Sequence, residues 1–104
     1  MNYGLKQRDI DYLITALKQF AEIEKAIIFG SRAKGNYKPA SDLDIVVKGE
    51  KIADNTILKL LDLLEEELPL PYFIDVLHYE KINNKELKEH IDRMGKVFYS
   101  KAHV

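Results

Sequence analysis

The chain has 104 residues, 46% of them hydrophobic and 32% charged, with a formal net charge of −1. That length predicts one domain over residues 1–104 with a modest core, and the near-neutral charge excludes a global field for gripping nucleic acid. Without cysteine there is no disulfide framework, zinc–thiolate site or thiol nucleophile; with no signal-like start and no membrane-length apolar run, a cytoplasmic protein with no membrane contact is expected.

Ile10, Leu13, Ile14 and Leu17 recur at helical spacing, with Phe20 continuing approximately along the same face. The pattern predicts an amphipathic packing helix from about Lys6 to Phe20. Its Gln7-Arg8-Asp9 end and the Lys18-Gln19 turn are expected to face water.

Ala26 to Phe29 is short and apolar, with isoleucines in the middle, and reads as a buried strand. Gly30 then allows a sharp turn and a close backbone approach to a ligand. Ser31 is expected to cap a short helical turn through Arg32-Ala33-Lys34 that stops at Gly35. Free backbone N–H groups and a hydroxyl at such a start suit phosphate oxygens; taken alone, the same residues make an ordinary strand-to-helix turn. The turn is neither of two familiar phosphate motifs. Gly35 is followed by Asn36-Tyr37 rather than the Lys-Ser/Thr of a P-loop, and Arg32 stands where a Rossmann fingerprint has its second glycine.

After the Pro39-Ala40-Ser41 turn, Asp42 to Val47 reads as a second strand with Asp42 and Asp44 on one face and Leu43 and Ile45 on the other. Acids are depleted from strands, and two like charges side by side repel. A divalent cation removes that difficulty, since Mg²⁺ takes one or two carboxylates together with substrate phosphates. A solvated strand start is the plainer alternative.

Lys48-Gly49-Glu50-Lys51 is a polar break. Asp54 or Asn55 is expected to cap a helix with Ile57, Leu58, Leu60, Leu61, Leu64 and Leu68 as a broad apolar face. Glu65-Glu66-Glu67 reads as a solvated edge, and Pro69 and Pro71 end the helix. Tyr72 to Leu77 is a strand-like apolar run interrupted by Asp75. As a neighbouring strand it would bring a third carboxylate to Asp42 and Asp44, and three acids could hold two metals about 3.5–4 Å apart for in-line phosphoryl chemistry. His78 follows and receives no role. Asn83-Asn84-Lys85 to Met94 predicts a last helix stopped by Gly95, and Lys96 to Tyr99 a short edge strand. Alternating strands and helices predict an α/β fold (α+β in some schemes), with helices packed on a small sheet.

Gly30-Ser31, Asp42-x-Asp44 and the later Asp75 strand together resemble the nucleotidyltransferase superfamily, the fold of DNA polymerase beta. The form Phe-Gly-Ser-Arg-Ala-Lys-Gly with Ser-Asp-Leu-Asp-Ile is similar in particular to the minimal nucleotidyltransferase (MNT) proteins. The resemblance covers nearly the whole chain and implies a mixed sheet. It implies ATP as substrate and two Mg²⁺ ions on Asp42, Asp44 and Asp75, with Asp75 also helping to deprotonate the acceptor hydroxyl. Gly30 and Ser31 would hold the β- and γ-phosphates, Arg32 and Lys34 could neutralise phosphate charge, and Ser41 could contact phosphate.

MNT proteins pair with helical HEPN proteins as antitoxin and toxin. The resemblance therefore implies transfer of AMP to a hydroxyl, expected to be a tyrosine, on a HEPN toxin within a hetero-oligomer, with no direct nucleic-acid binding. A binding antitoxin that neutralises by occlusion, and an antibiotic-type enzyme modifying a small molecule, are the alternatives.

Overall fold

The computed structural model describes residues 3–35, 38 and 42–101. Its elements run α1 (Gln7–Lys18), β1 (Lys25–Phe29), α2 (Ser31–Lys34), β2 (Leu43–Lys48), α3 (Asp54–Asp62), β3 (Ile74–His78), α4 (Lys85–Met94) and β4 (Lys96–Ser100). The strands form one sheet in the order β3-β2-β1-β4. β1 pairs antiparallel with β2 and with β4, whereas β2 and β3 are parallel. The mixed α/β architecture agrees with the expectation, and β4 takes an edge as foreseen.

Strand alternation divides the core between the two faces of the sheet. Ala26, Ile28, Ile45, Val47, Ile74 and Val76 pack with Leu13 and Leu17 of α1 and Leu60 of α3. Ile27, Phe29 and Val46 pack with Ile91 of α4 on the other face. Asp44 and Asp75 share the parity of Val46 and Leu77, so they belong to the α4 side, beyond the end of its cover.

Several local readings need correction. α1 spans fewer residues than the pattern predicts, and Asp9 is completely buried rather than facing water. Its Oδ2 accepts a hydrogen bond from the Tyr72 hydroxyl at 2.8 Å, a partner that helical periodicity cannot reveal. In α3 the N-cap is Ala53, neither Asp54 nor Asn55. The Thr56 hydroxyl oxygen accepts from the Ala53 N–H at 3.3 Å, half of a capping box, and donates to Glu22 at 2.7 Å. Asp54 instead pairs with Lys81. Leu58 is 65% exposed, outside the apolar face assigned to it. Beyond Asp62 the helix widens into a π turn over Leu63–Glu67, whose Glu65, Glu66 and Glu67 are solvated as expected.

Asn84 caps α4, its side-chain oxygen accepting from the Leu87 N–H at 3.0 Å. Gly95 does end α4, but through extended backbone (φ −66°, ψ 150°) rather than a left-handed turn. What demands glycine there is room: a Cβ would lie 2.5 Å from the Ile91 carbonyl oxygen and 2.6 Å from Ile27 Cγ2.

Candidate active site

Parallel pairing of β2 with β3 sets Asp44 directly opposite Asp75, with Leu43 opposite Ile74. Antiparallel pairing with β1 sets Phe29 on the other side of Asp44. The chain leaves β1 through Gly30, whose φ of +75° is a conformation that disfavours side chains. A Cβ at Gly30 would stand 2.5 Å from Asp44 Oδ2. The backbone conformation therefore favours glycine, and a side chain there would displace the Asp44 carboxylate. Asp44 and Asp75 are thus in register on adjacent strands, and Gly30, just past the end of β1, lies against the Asp44 carboxylate.

The predicted turn after Gly30 exists, with one change. Gly30 itself is the N-cap, Ser31 is the first helical residue, and Gly35 closes the turn in the left-handed conformation. Asp42 precedes β2 rather than lying inside it and is exposed. Its charge nevertheless reaches Asp44. Partial burial, then the negative charge of Asp75, then that of Asp42 push the Asp44 carboxyl above its ordinary value. Among the described residues, no group of three His, Cys, Asp or Glu side chains forms a ready metal site. The expected three-acid cage is thus not preformed. The acids stand as repelling neighbours, a donor set suited in kind to a hard cation that brings phosphate oxygens as its other ligands.

Arg32 departs most from expectation. Its side chain is 1% exposed, so it is no solvated basic residue. One guanidinium nitrogen donates to the Tyr3 carbonyl at 3.0 Å, and the group lies over the Tyr72 ring, 4.9 Å from its centroid. Arg32 ties α2 to the segment leading into β3. Lys34 is exposed at the end of the turn. Ser41 lies outside the described residues.

His78, three residues after Asp75, falls on the opposite face of β3. Its Nε2 lies 3.2 Å from Glu80 Oε1 and 3.4 Å from the Gly49 carbonyl. It belongs to a structural contact away from the acids. An open groove of about 300 Å³ runs beside Asp44 and Asp75, bounded also by Phe29, Leu61, Glu65 and Leu77. A larger one of about 440 Å³, among Glu22, Lys25, Glu50 and Lys101, lies at the far end of the sheet and contains none of the candidate residues.

Two features escaped sequence reasoning. The pairing of buried Asp9 with half-buried Tyr72 has no local signal, because the partners are far apart in the chain. Phe73 reads as part of an apolar strand, yet it precedes β3 and is 83% exposed.

A mixed sheet with helices on both faces and an acid pair set beside a glycine turn defines an α/β protein. Residues 11–104 match the model of the polymerase beta nucleotidyltransferase family, and the chain belongs to that family. It is therefore of the transferase class that its motif implied.

Among solved structures it is similar to a toxin–antitoxin crystallised with AMP-PNP, at 19% identity and a TM-score of 0.73, covering 90% of this chain and 75% of that one. It is also similar to the toxin–antitoxin MntA–HepT, at 17% identity and a TM-score of 0.68, covering 94% and 75% of the two chains. A Sulfolobus solfataricus protein assigned as a nucleotidyltransferase aligns at 20% identity and a TM-score of 0.51, covering 95% and 93%. At these identities the likeness is one of fold. A search of curated proteins found no significant match.

Proposed function

We propose that this protein is a Mg²⁺-dependent nucleotidyltransferase that moves AMP from ATP to a tyrosine hydroxyl of a partner HEPN-type toxin, and so acts as its antitoxin. The observation that carries the reading is the register of Asp44 opposite Asp75, with the Gly30 backbone against Asp44. Membership of the nucleotidyltransferase family supports the reaction class. The toxin partner rests on fold neighbours that are toxin–antitoxin pairs.

In the proposed reaction the acceptor oxygen attacks the α-phosphorus of ATP. The bond to the oxygen bridging the α- and β-phosphorus breaks, and pyrophosphate leaves with the electron pair. Asp75 accepts the acceptor's proton and passes it to water. Gly30 and Ser31 hold the β- and γ-phosphates with backbone N–H groups and a hydroxyl. Asp42, Asp44 and Asp75 would hold Mg²⁺, which when bound offsets charge building on the transferred group and on pyrophosphate. Arg32, buried against Tyr72, fixes α2 rather than meeting phosphate from solvent. The chain's main task is alignment.

Neutralisation by occlusion keeps one observation in its favour, the lack of a preformed three-ligand metal site among the described residues. Expression of native chain, Asp42→Asn or Asp75→Asn together with the partner separates the readings. With catalysis as the means of neutralisation, both variants fold and bind the partner yet fail to protect cells. Full protection by both would establish occlusion instead.

A further inference from the structure

Among the described residues, no hydrogen bond or ring contact engages the Phe73 side chain. It is 83% exposed, while Ile74 is buried at 5%. The backbone beneath it is nevertheless firmly held, since its carbonyl accepts from the Leu43 N–H at 2.8 Å. Tyr72 is anchored through its hydroxyl to Asp9 and through its ring to Arg32. An aromatic ring is thus presented to solvent on a rigid base.

Its position is specific. Phe73 precedes Asp75 by two residues, so continued strand alternation puts both on one face, about 7 Å apart along the chain. Continuing the β2–β3 register by one residue brings it beside Asp42. Phe73 thus immediately precedes β3, the edge strand that carries Asp75, and its carbonyl is bound by the residue that follows Asp42.

The direction of the reaction says what the ring meets. In an in-line displacement the attacking oxygen and the leaving pyrophosphate lie on opposite sides of the phosphorus. Across the sheet the order is Gly30 after β1, Asp44 on β2, Asp75 on β3. With pyrophosphate at the Gly30-Ser31 turn and the α-phosphorus near Asp44, the acceptor must enter from the β3 edge, where Phe73 stands. We infer that Phe73 is an acceptor-binding and specificity-determining residue, stacking on the aromatic ring of a tyrosine acceptor and favouring it over an aliphatic hydroxyl. The inference rests on the proposed transfer reaction, whereas the binding contact itself can be read without turnover.

Two measurements test it on the full chain. In the first, N-acetyltyrosinamide is titrated into protein holding Mg²⁺ and AMP-PNP, with NMR signals of Phe73 and Gly30 followed. Shifts at Phe73 in the native chain are expected, with those that the tyrosine amide causes at neighbouring Asp75 lost in Phe73→Ala and the nucleotide-induced Gly30 shift kept; no response at Phe73 overturns the inference, whether or not transfer occurs. In the second, transfer from ATP to matched tyrosine and serine peptides is compared. Phe73→Ala should raise KM for the tyrosine peptide about tenfold, leave KM for ATP unchanged and erode the preference over serine, while Phe73→Trp restores it. An unchanged peptide KM with a raised ATP KM would instead assign the ring to the nucleobase and reject the acceptor role. Absence of transfer by the native chain, with the Phe73 shifts present, would count against the proposed function alone.

Discussion

Asp44 carries the cost of the candidate site. Its carboxyl is held above the ordinary value of 3.8 by partial burial, Asp75 and Asp42. A raised acid contributes its stability below the unfolded value and loses it as pH rises through the folded one. Without metal, the native state is therefore weakened between pH 3.8 and Asp44's raised value and stays so at neutral pH. Asp44→Asn should raise the metal-free Tm at pH 7 by more than at pH 3.5 while removing activity, a trade of stability for function that calorimetry and a transfer assay together would reveal. At Gly30, alanine meets both a positive φ and the Asp44 carboxylate. Gly30→Ala should cost about 1–3 kcal/mol in denaturant unfolding and disturb nucleotide binding as well. Asp42, Asp44, Asp75 and Gly30 were legible because acids within apolar runs and a glycine at a strand end contradict local preference. Arg32 and Asp9 were not legible. Their burial depends on Tyr3 and Tyr72, and nothing near them in sequence marks those partners.

Among the elements, α1, α2 and the lead-in to β3 are joined through Asp9, Tyr72 and Arg32. Tyr72→Phe removes the hydroxyl that satisfies Oδ2 of a completely buried Asp9. The unpaired acceptor should cost about 1–3 kcal/mol by chemical denaturation. Asn84→Ala removes the cap of α4 and should cost about 1 kcal/mol with little effect on nucleotide binding, since α4 bears none of the candidate site residues. Helix and strand periodicity located all four strands and the longer helices. It misjudged what tertiary packing decides: the cap of α3, the outward turn of Leu58, and the role of Gly95, which is clearance between Ile91 and Ile27.

In the whole molecule, the sheet order makes a site from residues that are distant in the chain. Parallel pairing of β2 and β3 converts Asp44 and Asp75 into neighbours, and antiparallel pairing of β1 and β2 brings Gly30, just past β1, against Asp44. Periodicity could propose three strands carrying these residues, but the order β3-β2-β1-β4 depends on long-range pairing; the mixed sheet came from the family resemblance. The assembled acids are left repelling one another, so ligand binding should act on the fold as a whole. Mg²⁺ with AMP-PNP at 100 times Kd should stabilise the native chain by about 2.7 kcal/mol. In Asp42→Asn combined with Asp75→Asn, the same addition should shift Tm much less.

Nucleotidyl transfer moves the α-phosphorus of ATP, and phosphoryl transfer the γ-phosphorus. ATP labelled at the α-phosphate and ATP labelled at the γ-phosphate would each be incubated with Mg²⁺, host lysate and either the native chain or Asp75→Asn. Label from the α-position alone on one small protein, lost by a factor on the order of 10²–10⁴ with the variant, is the predicted result. Label from the γ-position, or none on any protein while a stable complex is still recovered, would contradict nucleotidyl transfer to a protein partner.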